Sequence, residues 1–180
     1  AGFEAIALVE SDLLSSPYSA EYAGALLREL GLQCIAFDAL RDFEGLAGEE
    51  HALAIQRAEF KFDLMQDVGA ELLIVTASGR RDAVSNERTI VADLRALGIR
   101  AAASDRSPAT LAFLLARTTT KRRFLRRQAL AAPTPEVLAA LTGLAAHWAN
   151  DATAQEVLSL AAKSSDKDIR DAVARRGSGS

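Results

Sequence analysis

Four side chains near the start of this 180-residue sequence lie where an α/β protein would keep its chemistry. Arg41 and Glu44, in "RDFEG", directly follow the apolar run "LQCIAFDAL". An arginine there suits an anionic ligand, because its planar fork donates two parallel hydrogen bonds to a carboxylate. Loops that follow rigid elements also carry binding groups more often than the elements do. The competing role is local, with Arg41 pairing to Asp42 or Glu44 to order the loop. Glu10 and Asp12, in "ALVESDLL", offer oxygens for a general base or a cation. Two carboxylates opening a helix are equally what the helix dipole favours. No residue is assigned a catalytic or metal-ligating role on this reading. His147, beside Trp148, lacks the spaced His, Cys or carboxylate partners of a zinc site, and His51 reads as a solvated helix residue. The single cysteine, Cys34, reads as a buried strand residue rather than a nucleophile or half of a disulfide. No phosphate-binding glycine loop and no Ser–His–Asp signature is present.

The densest charge cluster is "KRRFLRR". On a helix, Lys121, Arg122, Arg123, Arg126 and Arg127 would cover a broad arc able to neutralise phosphates. No base-reading motif accompanies it and the chain is mildly acidic, with a net charge of −3. The favoured reading is a solvated face, or one attracted to the acidic first half, and nucleic acid is not expected as a partner. Residues 1–100 carry 17 acidic and 9 basic side chains, whereas 101–180 carry 7 and 12. Such a shift fits two segments of different origin or two faces that attract one another.

Nearly half of the residues are hydrophobic and only 6% aromatic, so Ala- and Leu-rich helices should supply much of the core. No stretch approaches the ~18–20 apolar residues of a membrane span, and no signal peptide is read. A cytoplasmic protein is expected. The terminal "GSGS", residues 177–180, reads as a linker or tag remnant.

These candidates need elements to hold them. "FEAIALVE" reads as a strand, and "AEYAGALLRELG" as a helix closed by Gly31. "LQCIAFDAL" is a second strand. "EEHALAIQRAEFKFDLMQDVG" is a helix with Ala54, Ala58, Phe62, Met65 and Gly69 on one stripe. "AELLIVTAS" is a third strand, "SNERTIVADLRALG" a helix opened by Ser85 and closed at Gly98, and "IRAAAS" a weak fourth strand. Strands alternating with helices of this length predict a parallel sheet. Beyond residue 105 only helices are expected: one across 107–132 capped by Ser107, then "TPEVLAALTGLAAHW", "TAQEVLSLAAK" and "SDKDIRDAVARR". In the last, Ser165 and Asp168 have capping-box spacing.

Five strings, "GFEAIALVESDLL", "RDFEG", "RAEFKFDLMQ", "GAELLIV" and "ADLRALG", occur at spacings that resemble one family over residues 1–104. It is the sugar-phosphate isomerase/epimerase-like TIM barrels, within them the bacterial 3-dehydroshikimate dehydratases. The resemblance implies an eight-stranded barrel that binds a divalent metal, Mg²⁺ or Mn²⁺, and dehydrates 3-dehydroshikimate to protocatechuate. It aligns this chain from the barrel's second strand to its fourth. The family's glutamate ending the fifth strand would fall near residue 105, where this chain reads "SDRSPATLAFLLAR". None of the family's metal carboxylates is therefore carried over.

Departures concentrate at the strand ends. The family's E-I-F-E-N-D is replaced by Ala7, Leu8, Val9, Glu10, Ser11 and Asp12. Its F-Q-P-F before R-D-F-E-G is replaced by Phe37, Asp38, Ala39 and Leu40, and its C-S-N by Thr76, Ala77 and Ser78. In a TIM barrel the active site is built at those ends while the rest maintains stability. The resulting expectation is a partial TIM-barrel-like parallel sheet of three or four strands with helices (1–104), followed by an all-helical segment (105–176). It would be a non-catalytic scaffold, engineered or recombined, with no cofactor and with self-association through the open sheet edge. The alternative is a metal-dependent 3-dehydroshikimate dehydratase-like enzyme completed by dimerisation. A receiver-like signalling domain is a second alternative, which requires Asp63 to end a strand.

Overall fold

A computed structural model describes residues 2–84, 86–121 and 128–174. The chain divides into two compact units, Ala1–Thr89 and Ile90–Ser180.

The first unit begins with strand β1 (Ala5–Val9) and the short helix α1 (Glu10–Ser15). Helix α2 (Ala20–Glu29) starts where the Ser19 hydroxyl accepts the Tyr22 N–H, and Gly31 follows its end at φ 68°. Strand β2 (Gln33–Leu40), helix α3 (Gly48–Val68) and strand β3 (Leu72–Val75) complete it, with Gly69 closing α3 at φ 77°. The three strands form one parallel sheet in the order β1-β2-β3. Leu8, Cys34, Phe37 and Leu73 pack toward the helices with Leu13, Leu64 and Val68. The alternate positions Leu72 and Ile74 are exposed, as the two-residue period of a strand requires when only one face is covered.

Helix α3 buries Ala54, Ala58 and Phe62, which follow the expected stripe, and Asp63 stays exposed in mid-helix. The receiver reading fails on that residue. Gly24 is what lets α2 lie against α3. A Cβ there would come within 2.1 Å of the Asp67 carbonyl oxygen. Any larger residue would force the two backbones apart.

Helix α4 (Glu87–Ser104) runs from the end of the first unit into the second. Two expectations are corrected here. The helix passes through Gly98 instead of stopping, and "IRAAAS" is helical, so the sheet has three strands. Ala96, Ile99 and Ala103 share a helical face buried in one cluster with Leu114, Leu141 and Leu144. That burial, with alanine's helix propensity, outweighs the ~1 kcal/mol cost of a mid-helix glycine. Ser85 lies outside the described residues, and it is the Asn86 side chain that accepts the Arg88 N–H.

Helix α5 (Pro108–Thr118) is capped by Ser107 as expected, but the helical reading of 107–132 is corrected. The chain turns extended after Thr118, and strand β4 (Thr119–Lys121) pairs antiparallel with β5 (Gln128–Leu130). Three consecutive threonines, stiff at χ1, favour the extended form. Arg122, Arg123, Arg126 and Arg127 lie outside the described residues. Helices α6 (Pro135–His147), α7 (Ala152–Ala162) and α8 (Lys167–Ala174) follow, capped by Thr134, Asp151 and Asp166 respectively. Asp166, not Ser165, caps α8. Asp166 immediately precedes the helix, and its Oδ1 accepts the Ile169 N–H three residues on at 3.1 Å. Among the described residues, no helix is long and apolar enough to cross a membrane.

Candidate functional site

Because the three strands are parallel, the segments after β1, β2 and β3 leave the same edge of the sheet, where the sequence places its candidate residues. After β2 the chain reverses through Asp42, a non-glycine residue at φ 51°, and Gly45 at φ 73°. Aspartate enters the left-handed region more readily than most residues, and here its side chain is held by donors from the segment after β3. Its Oδ1 accepts the Ser78 hydroxyl and the Gly79 N–H, both at 3.1 Å. Its carbonyl accepts Arg57 Nη2 at 3.2 Å. Glu44, only 6% exposed, accepts the Ser78 N–H on Oε1 at 2.5 Å, while its buried Oε2 has no partner. Val84 donates its N–H to the Gly45 carbonyl at 2.7 Å. The two carboxylates thus fasten the segment after β3 onto the segment after β2.

Arg80 extends this clasp. Its Nε and Nη2 bind Asp82 at 2.9 and 2.6 Å, and its Nη1 reaches Glu50 at 3.0 Å. The guanidinium beside Asp82 holds that carboxyl down at about 2, and Asp82 in turn raises Arg80 further. At the end of β1, Glu10 forms an ion pair with Lys61, a lysine 5% exposed that projects from α3 over the Phe37 ring, 5.6 Å from its centroid. Burial pushes the Cys34 thiol up, as an inert strand cysteine requires.

The sequence candidates therefore separate. Glu44 is buried and Glu10 is paired, while Asp12 and Arg41 are exposed. Arg41 makes no hydrogen bond or ion pair among the described residues, so it does not order its own loop. His51 is half-buried rather than solvated. Its Nδ1 is shielded without a partner, and its ring lies 5.9 Å from that of Phe43. Sequence reasoning missed Lys61, Asp42 and Arg80. Lys61 had a readable signal: it stands seven residues from Ala54 and three from Ala58, on the buried face of α3. The partners of Asp42 and Glu44 lie 34 to 37 residues away and carry no local signal.

Among the described residues, no three His, Cys, Asp or Glu side chains converge as a metal site would require. Glu10 already faces a cation and Asp42 and Glu44 face N–H groups, so these residues do not fit the divalent metal of the resembled enzymes. In the second unit, α6, α7 and α8 border an open hollow of about 270 Å³ lined by Ala145, Gln155, Leu158, Ser159 and Val173. It brings no titratable side chain together.

No protein-family model matches the chain. It is 39% identical over 102 residues to the 3-dehydroshikimate dehydratase of Pseudomonas aeruginosa, covering 57% of this chain and 16% of that enzyme. It is 38% identical over 98 residues to the 3-dehydroshikimate dehydratase of Pseudomonas putida, covering 54% of this chain and 15% of the enzyme. Among solved structures it superposes with a TM-score of 0.54 and 37% identity on a xylose isomerase-like TIM barrel/4-hydroxyphenylpyruvate dioxygenase fusion protein, covering 56% of this chain and 16% of that one. Over a little more than half its length, then, the chain is a partial match to 3-dehydroshikimate dehydratases and xylose isomerase-like TIM barrels, and it spans about one-sixth of their length.

Proposed function

We propose that the chain is a non-catalytic α/β scaffold that works in the cytoplasm, where its one thiol, Cys34, remains reduced. The observation that supports this reading most is the use made of the strand-end acceptors. Asp42 and Glu44 take the Ser78 and Gly79 donors, and Glu10 takes Lys61. A catalytic carboxylate needs its oxygens free for substrate or metal, whereas Asp42 Oδ1, Glu44 Oε1 and Glu10 Oε2 are already engaged within the fold. An open sheet with an uncovered face and two unpaired edges also favours self-association.

The test is an assay of 3-dehydroshikimate with added Mg²⁺ or Mn²⁺, following protocatechuate by its absorbance. No metal-dependent turnover is expected at any protein concentration. Turnover that rises with protein concentration would replace this reading with a dehydratase assembled by dimerisation. The specific feature in favour of that alternative is Arg41, exposed and unpaired among the described residues at a strand end.

A further inference from the structure

We draw no further inference here: the strongest candidate, the uncovered face of the three-stranded sheet on which Leu72 and Ile74 of β3 are exposed, is an unpartnered apolar surface, and nothing in the structure shows what covers it.

Discussion

Replacing Gly45 by alanine tests the clasp at its tightest point. Gly45 sits at φ 73°, where an added Cβ costs roughly 1–2 kcal/mol of backbone strain. That Cβ would also stand 2.5 Å from the Val84 carbonyl oxygen and 3.0 Å from the Val84 nitrogen, so Val84 must move. Overpacking of this kind costs about 1–3 kcal/mol. Moving Val84 also breaks its 2.7 Å hydrogen bond to the Gly45 carbonyl, worth about 1 kcal/mol. The expected loss is about 4 kcal/mol, a large share of the ~5–15 kcal/mol that holds an ordinary domain together. Gly69→Ala is the matched control: it has the same left-handed geometry at φ 77° but nothing within 4 Å of the new Cβ, so only the strain remains. Amide hydrogen exchange at Ser78, Gly79 and Val84 reads the clasp directly. Gly45→Ala should speed it by about a thousandfold and Gly69→Ala by far less. Equal acceleration by the two variants would show that Val84 yields without cost, and the steric reasoning would fail.

Three further outcomes follow from the geometry. Glu10→Gln leaves Lys61 buried without a counter-charge and should destabilise the first unit by about 2–3 kcal/mol, whereas Glu10→Gln/Lys61→Met should recover most of that in urea titrations. The folded-state pKa of Asp82 is depressed, so its bond to Arg80 is fully present above the ordinary carboxylate range and is lost as pH falls through about 2. An NMR titration of its carboxyl carbon should find that midpoint, and Arg80→Ala should raise it toward the usual value. In the second unit, Asp166→Ala should cost about 1 kcal/mol in thermal unfolding while Ser165→Ala changes little, because only Asp166 caps α8.

What was legible in the sequence is what repeats locally. Ala54, Ala58 and Phe62 announce the buried face of α3 by their spacing, and Gly31 and Gly69 announce the helix ends because only glycine adopts that backbone cheaply. Gly98 has the same local appearance but stops nothing, since the burial of Ile99 and Ala103 decides the matter from outside the helix. The hairpin β4–β5 was hidden for a related reason: Thr119 finds Leu130 eleven residues on, past a charged stretch that reads as helix. The candidate site was half legible. Its positions after the strands could be read from the α/β pattern, and Arg41, Glu44, Glu10 and Asp12 were named on that basis. Their states could not. Whether Glu44 is buried, or Glu10 meets Lys61 fifty-one residues away, depends on contacts that no window of sequence contains.

The sheet order β1-β2-β3 also bears on how the molecule is made. Each strand lies beside the one synthesised next, with Ala5 meeting Gln33 and Ala36 meeting Leu72, so no strand waits for a distant partner. Each pairing closes a crossover of about 30 residues, and the helix formed within it, α2 or α3, carries the next strand back beside its neighbour. The first unit can therefore form strand by strand as the nascent polypeptide leaves the ribosome, with its hydrophobic centre sealed before the second unit is translated.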